Sequence, residues 1–581
     1  MRLPFARSVA LVSLVFVAFV ACAGDPPAGT GESATTGGAT SDASGDSTTV
    51  STATTGEGTG GSATTTGGSA TTTGGSATTT TAGETTTSST STTTTDSTTG
   101  DDAPLLPTWE ARRGYLHVHS AYSHDACDGE GLMNGVPNKP CVDDLRAALC
   151  AAGVDFALLT DHPSFMRDYP FDELLHPRPG DALVDEEGAP IANHMTCPDD
   201  HVVVLAVGYE STHTLPLGLH HHVAAEFYAG LGDADPLDQD VALVAALQAA
   251  GAVVGIAHSE EDDLSAGRII DVGLDAMEWY NPHGNFKTAL GGDSIGGDPG
   301  AVLDLLKGLL PFMAGSNSGA HPDLVYLRLL PSWPVEGFAK WREVLRTRPI
   351  TGLFGSDVHQ NVRVDPICAQ KDPLLQAACV AAAEAVLPEA LAGLVSGGTL
   401  TMSDGDRLDA YARIFRWLDN RVLVDPDAEF DLAAIQGGLR AGRSFGVFSI
   451  FGGPEGFGVV AEADGEVHQL GATVGTGAQL RVRTPTRPSP EYAAGPQWSA
   501  AEGDAAAIRA IVVHTDARGS EEVAEVTTLA TLHELELAAP GAYHVEIWVR
   551  PQHLKAALGD QAALADVEYL WVITNPILVA P

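Results

Sequence analysis

Basic residues are scarce in this chain. Its 581 residues include 31 lysines and arginines against 75 aspartates and glutamates, which gives a formal net charge of −44. Proteins that bind nucleic acid normally carry a basic surface, so no nucleic-acid partner is expected. The same acidity repels polyanions, and a phosphate-bearing substrate would have to be held mainly by metal ions.

An apolar run of transmembrane length is lacking at the N-terminus. The run at residues 9–21, which follows Arg2 and Arg7, is too short to span a bilayer comfortably and is typical of a signal-peptide core. It ends in Phe19-Val20-Ala21-Cys22, which resembles a bacterial lipobox except that phenylalanine replaces the usual leucine. We predict a lipoprotein signal peptide at residues 1–22 and export to the bacterial cell envelope, with a lipid on Cys22 anchoring the protein at the membrane surface. The alternative is an ordinary signal peptide, which would leave the protein secreted.

Apolar side chains are nearly absent from residues 23–103. This segment consists mostly of threonine, glycine, serine and alanine, and the sequence Gly-Gly-Ser-Ala-Thr-Thr-Thr repeats in tandem within it. A segment that buries so little apolar surface cannot offset the entropy lost on ordering. We therefore predict a disordered, low-complexity linker at residues 23–103.

Cysteines are few, and no Cys-x-x-Cys pair is present to indicate a zinc ribbon. The chain has 7 cysteines, and an even number remains once Cys22 is assigned to the lipid. An even number is typical of disulfides in an oxidising compartment, although several pairings are open. Pairing neighbours in sequence predicts the disulfides Cys127–Cys141, Cys150–Cys197 and Cys368–Cys379.

Short apolar runs alternate with helical patterns after residue 104. Strands are predicted at 115–118, 156–160, 202–207, 253–257, 275–281 and 350–354, and helices at 143–152, 241–250 and 341–346. This alternation predicts an α/β domain with a parallel sheet, which could close as a barrel, at residues 104–428.

Helical patterns continue at 408–418 and 430–439 and then stop. Residues 480–484, 508–514, 543–550 and 569–574 alternate as strands do, with turn-forming residues between them. They predict a small all-β sandwich as a C-terminal domain at residues 429–581.

Side chains that bind metal ions follow the predicted strands of the α/β domain. His117 and His119 are spaced i, i+2 and should point to one face of a strand end. The others at strand ends are Asp161, His162, Glu210, His258, Asp357 and His359, and Asp125 follows the first pair in the next loop. The carboxyl ends of strands are where α/β barrels build active sites, and buried ionisable groups are costly unless paired or metal-bound. The set therefore predicts a metal site.

In chain order these motifs resemble the PHP (polymerase and histidinol phosphatase) superfamily of metallohydrolases. The matching segments are His117-x-His119 with Asp125, Thr160-Asp161-His162, Gly208-x-Glu210, His258 and Gly355-Ser356-Asp357-x-His359. The resemblance implies a distorted, TIM-like (β/α)₇ barrel that binds two or three divalent transition metal ions (Zn, Mn or Fe).

The resemblance also implies how the ligands divide among the ions. His117, His119, Glu210 and Asp357 would surround one ion, and Asp125, His162 and His359 another. Glu210 would bridge to a further ion held by His258 and by one histidine of the run His220-His221-His222, where the family has a single histidine. We favour His222, because an apolar run follows it. Asp161 is expected to orient a ligand histidine.

The implied activity is hydrolysis of a small-molecule phosphoester or related ester by a hydroxide that the metal ions activate. Glu210 would be catalytic as the bridging carboxylate, and His283 and His124 are candidates for the general acid. Segments 439–445 and 573–577 are similar to a PHP branch with a C-terminal β domain that includes carbamate ester hydrolases. The alternatives are therefore a carbamate or carboxyl ester hydrolase, a non-catalytic cell-surface binding protein on the same scaffold, and a structural zinc protein.

Overall fold

The computed structural model describes residues 109–232, 236–261, 264–284, 307–330, 335–364, 373–384 and 398–581. The predicted signal peptide, its lipid anchor and the linker lie outside these residues, as does the Cys368–Cys379 pairing, because Cys368 is not among them. Within the described residues, no helix has both the length and the apolar character needed to cross a membrane.

Fourteen strands precede residue 428 in the described chain. They are β1 (Glu110–Val118), β2 (Leu132–Met133), β3 (Val136–Pro137), β4 (Phe156–Leu159), β5 (Ala182–Glu186), β6 (Ala189–Thr196), β7 (Val202–Val207), β8 (Thr214–Leu217), β9 (Val253–Ile256), β10 (Ala276–Tyr280), β11 (Thr351–Val358), β12 (Arg363–Val364), β13 (Gly398–Thr399) and β14 (Asp419–Val424).

Strands and helices continue to the C-terminus. The later strands are β15 (Ser444–Val447), β16 (Gly453–Glu455), β17 (Gly458–Ala463), β18 (Glu466–His468), β19 (Thr473–Gly475), β20 (Gln479–Arg483), β21 (Arg487–Ser489), β22 (Ala507–Asp516), β23 (Gly519–Val526), β24 (Leu532–Glu536), β25 (Gly541–Arg550), β26 (Tyr569–Thr574) and β27 (Ile577–Ala580). The described α-helices are α1 (Lys139–Ala152), α2 (Pro163–Met166), α3 (Phe171–Leu174), α4 (Leu237–Ala249), α5 (Ala266–Val272), α6 (Tyr326–Leu329), α7 (Val335–Leu345), α8 (Pro373–Glu384), α9 (Tyr411–Ile414), α10 (Leu432–Arg440), α11 (Ala500–Gly503) and α12 (Lys555–Leu558).

Five strands of the N-terminal region pair in parallel, in the order β10-β11-β1-β4-β7. Every residue of β4, β10 and β11 is buried. Such strands are covered on both faces, which explains why β4 is a continuous apolar run and why the acids of β10 and β11, Glu278 and Asp357, are buried. The predicted α/β class and parallel sheet are confirmed.

The predicted TIM-like barrel is not confirmed, because no sheet closes on itself within the described residues. The hairpin β5–β6 pairs with the outer edge of β7, so that edge is not available to the next strand of a barrel. β9 pairs instead with β8 in a separate antiparallel ribbon. An insertion after β4 thus supplies the edge partner that the strand alternation alone does not predict.

Two of the predicted disulfides are present. Cys127–Cys141 joins the loop after β1 to α1, and Cys150–Cys197 joins the end of α1 to the loop after β6. Cys127–Cys141 restricts the loop that carries Asp125, which lies two residues before Cys127. Cys150–Cys197 lies instead near the amino ends of β4 and β7.

Antiparallel pairing continues across residue 428. β14 pairs with β1, β15 with β14, β26 with β15, and β25 with both β26 and β22. A second sheet contains β18, β17, β20 and β24 in that order. The C-terminal strands are therefore mostly antiparallel, as predicted, and part of them extends the sheet that contains the parallel strands.

The helix predicted at 408–418 is much shorter in the structure. α9 covers Tyr411–Ile414, and the chain then tightens into turns in which Arg416 and Trp417 donate to carbonyls three residues earlier. β14 begins at Asp419. Tertiary contacts of this segment, in particular two arginines buried against Asp323, override its helical pattern.

Candidate metal centre

Most of the predicted ligands reach one edge of the parallel sheet because they follow the carboxyl ends of its strands, and His258 reaches the same place from the separate ribbon of β8 and β9. His117 and Asp357 lie in the last residues of β1 and β11, which are adjacent parallel strands. Glu210 follows β7, and His258 follows β9 by two residues. Parallel strands end at the same edge, so residues far apart in sequence meet there.

Three of these residues have left-handed backbone conformations. The φ angles are 60° at His117, 50° at His258 and 48° at Asp357. Non-glycine residues rarely adopt this region, and such residues are concentrated at functional sites, where surrounding structure holds them. The register between β1 and β11 also shifts between Leu116 and Val118, on either side of His117.

The innermost group contains two imidazoles and two carboxylates, all buried. His117 Nε2 lies 3.3 Å from Glu210 Oε2 and 3.2 Å from Asp357 Oδ1. His119 Nε2 lies 3.3 Å and 3.4 Å from the same two oxygens. The structure therefore brings together the four side chains expected around the first ion.

Further side chains flank this group on two sides. His258 Nε2 lies 2.9 Å from the other oxygen of Glu210, Oε1. His162 Nε2 lies 3.6 Å from Glu210 Oε2 and 3.5 Å from Asp125 Oδ2, and His359 Nε2 lies 3.3 Å from that Asp125 oxygen. Glu210 thus contacts four histidines, and Asp125 joins His162 and His359.

All five imidazoles use their other nitrogen in the same way. Nδ1 contacts Glu278 in His117, Ser123 in His119, the Glu210 carbonyl in His162, Glu260 in His258 and the Asp357 carbonyl in His359. A neutral imidazole that donates from Nδ1 has its lone pair on Nε2. Five Nε2 atoms therefore face three carboxylates. All of these atoms are acceptors, so a cation or bound protons must offset their mutual repulsion.

The donor set fits a tetrahedral transition metal ion. Three buried atoms make no hydrogen bond: Nε2 of His117, Nε2 of His119 and Oδ1 of Asp357. Each of the two Nε2 atoms nevertheless lies within 3.4 Å of that Asp357 oxygen. Ligands at about 2.0 Å from a tetrahedral ion are about 3.3 Å apart, which matches the separations in the inner group. Mixed imidazole and carboxylate donors suit zinc, manganese or iron.

Charge in the cluster is strongly coupled. Burial lowers the pKa of His117, but Asp357, Glu278 and Glu210 outweigh it and hold that pKa well above its usual value. Burial also lowers the pKa of His119, but hydrogen bonding to Asp357 and Glu210 outweighs burial and raises that pKa to about 9. Burial raises the pKa of Glu210, yet His117 and its neighbours hold it well below its usual value. Without a cation, His117 and His119 hold protons that a metal ion must displace.

Glu278 is a buried carboxylate that the sequence motifs do not identify. It lies 2.6 Å from His117 Nδ1 and accepts a 2.8 Å bond from the His258 backbone N–H. Gly355 leaves room for it, since a Cβ there would lie 1.8 Å from a Glu278 oxygen. The available signal was a single acid within the buried strand Ala276–Tyr280. Carboxylates in this position fix the orientation of a ligand histidine.

Replacing Glu278 by glutamine is expected to weaken metal binding about 10- to 100-fold. One amide oxygen cannot accept from both His117 and His258, so the orientation of one of them is lost. Competition of the purified protein with a chelator measures the change in affinity. Glu525→Gln, at an exposed position of β23, is the matched control and should bind as the wild type does. Unchanged metal affinity in Glu278→Gln would show that Glu278 serves packing alone.

The predicted ligand His222 is not brought into the cluster. Its Nδ1 lies 2.6 Å from the Tyr228 hydroxyl and its Nε2 lies 2.8 Å from the Tyr169 carbonyl, so both ring nitrogens have partners elsewhere. His220 contacts Glu186, and His221 is exposed. We therefore leave all three out of the ligand set. Local sequence could not distinguish them, because β8 leads this run away from the strand ends.

Asp161 also differs in role from the expectation. It accepts hydrogen bonds from the Ser120 backbone N–H at 2.5 Å and from the Ser120 hydroxyl at 2.7 Å. Asp161 therefore fixes the backbone next to His119 rather than a ligand imidazole directly.

The two candidate general acids lie at the edge of the cluster. The His283 ring centre is 5.8 Å from that of His359, and its side chain can join Asp357 and His359 around one point. His124 is half exposed and lies next to His162, at 4.9 Å between ring centres. Both histidines are therefore close enough to serve a substrate that contacts the cluster.

Comparisons with known proteins do not add a relative. A scan against protein-family models, a search of curated proteins and a search of solved structures each find no match to this chain. The resemblance to the PHP superfamily therefore stays a prediction from the motifs, and the chemistry of the site is inferred from its own side chains.

Proposed function

We propose that this protein is a metal-dependent hydrolase, similar to PHP enzymes, that cleaves a small-molecule phosphoester or related ester. The observation that carries the proposal is the common orientation of His117, His119, His162, His258 and His359, whose Nε2 atoms face Glu210, Asp357 and Asp125. The distances between these atoms suit two or three divalent transition metal ions. Export, lipid anchoring through Cys22, a barrel-like α/β domain and a C-terminal β-sandwich belong to the same proposal.

The side chains divide the work of such a reaction. Bound metal ions supply an activated water and stabilise charge that develops on the substrate. Glu210 and Asp357 supply the negative charge that retains the ions, and Nδ1 contacts such as that of Glu278 hold the imidazoles in place. His283 lies where it could donate a proton to the leaving oxygen.

Exposure shows where a substrate can enter. The side chains of His117 and Asp357 are 0% and 1% exposed, whereas those of His162 and Asp125 are 22% and 32% exposed. The cluster therefore opens on the side of Asp125. Structural zinc sites are closed by four protein ligands, so an open side favours a catalytic role.

The test combines metal analysis with an activity screen. The purified protein should retain two or three transition metal ions per chain and should cleave at least one phosphomonoester, phosphodiester, carboxyl ester or carbamate ester with Mn²⁺ or Zn²⁺. His119→Ala should lose both properties while remaining folded by circular dichroism. His221→Ala, which removes an exposed histidine outside the cluster, should keep both.

Two results would overturn the proposal. Metal-free protein with no turnover of any ester class would favour the non-catalytic binding protein. Loss of folding in His119→Ala, together with metal binding but no turnover in the wild type, would favour a structural metal site.

A further inference from the structure

A cavity lies directly beside the metal centre. It has a volume of about 460 Å³ including its open mouth, and Asp357, His359 and His283 form its inner end. The rest of its lining includes three polar residues, Ser356, Asn361 and Asp409, and an apolar wall formed by Pro282, Leu329, Val362, Leu408, Ile414 and Trp417. A group attached to a bond that reacts at the cluster can therefore extend along this wall.

The wall is held in position by contacts outside the cavity. Trp417 stacks on Tyr326 with ring centres 4.5 Å apart, and its indole N–H donates to the Asp323 carbonyl at 3.2 Å. Asp409 accepts from the Val362 backbone N–H at 2.7 Å. A binding surface that is already ordered loses little entropy when a ligand binds.

The cavity offers no counter-charge for a second anionic group. Among the described residues that line it there is no lysine or arginine. The carboxylate of Asp409 is already paired with Arg407, at 2.5 Å. Since the chain also carries a net charge of −44, a substrate with charges beyond the reacting group is disfavoured.

We propose that the substrate carries a compact apolar group, such as a phenyl ring, on one side of the bond that is cleaved, and that this group occupies the cavity. This inference rests on the proposed hydrolase function and specifies its substrate class. Ser356 and Asp409 already have partners in the protein, which leaves Asn361 to pair with a polar group of the substrate. A sugar or nucleotide carries several hydroxyls or charges, and most of them would lie unpaired against the apolar wall at a cost.

Two phosphonates that differ only in the apolar group provide the test. Methylphosphonate and phenylphosphonate present the same anion to the metal centre, so the ratio of their affinities reports on the cavity. We expect phenylphosphonate to bind the metal-loaded full chain about tenfold more tightly or better, because apolar surface is buried. Isothermal titration calorimetry measures both affinities.

Val362→Phe narrows the cavity from a half-buried position and should bring the ratio close to one. Val567→Phe is the matched control, because Val567 is 43% exposed and lies elsewhere, and it should keep the wild-type ratio. Equal affinities in the wild type, or an unchanged ratio in Val362→Phe, would overturn the inference and leave the hydrolase proposal standing. Binding of neither phosphonate by a protein that also retains no metal would instead overturn the proposed function.

Discussion

Replacing Glu210 by glutamine is expected to remove at least one metal ion per chain and to reduce turnover about a thousandfold. Glu210 approaches four imidazole Nε2 atoms, at 3.3 Å from His117 and His119, 3.6 Å from His162 and 2.9 Å from His258. Glutamine keeps the shape of the side chain and loses its charge. A metal ion contributes several kcal/mol to transition-state stabilisation, which corresponds to about 10³ in rate.

Metal content after dialysis and the rate on the best ester substrate measure this effect. Glu226→Gln is the matched control, because Glu226 is exposed and lies outside the cluster, and it should behave as the wild type does. Thermal unfolding of both variants separates loss of the site from loss of the fold. A folded Glu210→Gln variant with its full metal complement and normal turnover would exclude the bridging role.

Replacing Asp323 by alanine is expected to destabilise the protein by about 3–5 kcal/mol. Asp323 is fully buried and contacts the guanidinium groups of Arg413 and Arg416, with two bonds to Arg416 at 2.5 Å and 2.9 Å. Removing the carboxylate leaves two buried cations without this partner, and desolvated charges of that kind carry large penalties. The backbone carbonyl of Asp323 also accepts a hydrogen bond from the Trp417 indole, so the segment around Asp323 supports the cavity beside the metal centre.

Chemical denaturation of the two proteins at neutral pH measures the loss. Asp404→Ala is the control, because Asp404 pairs with the same Arg413 at 2.8 Å but its side chain is 36% exposed. Arg413 keeps its fully buried partner Asp323 in this variant, and the partly exposed carboxylate of Asp404 is easily replaced by water, so the loss should be clearly smaller than in Asp323→Ala. Similar losses in both variants would mean that burial does not govern the strength of this network.

The centre of the sheet was predictable from local pattern. Residues 202–207 and 569–574 form strands with the predicted bounds, and α1 and α10 lie where apolar periodicity placed them. Both strands are mostly apolar, and both helices have one buried face. These features depend on neighbours within a few residues, so the sequence contains them directly.

The edges of the sheet were not predictable in that way. The pairing of β6 with β7, and of β14 with the first half of β1, joins segments whose order in the chain does not specify which edge they occupy. Strand alternation predicted a parallel sheet that could close, the PHP resemblance implied a barrel, and the described sheets do not close. Edge pairing is decided by long-range packing.

The same distinction between local pattern and long-range packing applies to the residues of the metal centre. Eight ligands could be named from sequence, because residue type, position at or shortly after a predicted strand end and the match to PHP motifs mark them: His117, His119, Asp125, His162, Glu210, His258, Asp357 and His359. Glu278, the exclusion of His222 and the apolar wall around Trp417 depend on which side chains meet across the fold. Sequence by itself determined the chemistry of the ligands and the strands that carry them. Only the tertiary structure decided which ligands share a point in space, how their rings are oriented and what lies beside them, because those properties arise from contacts between distant segments.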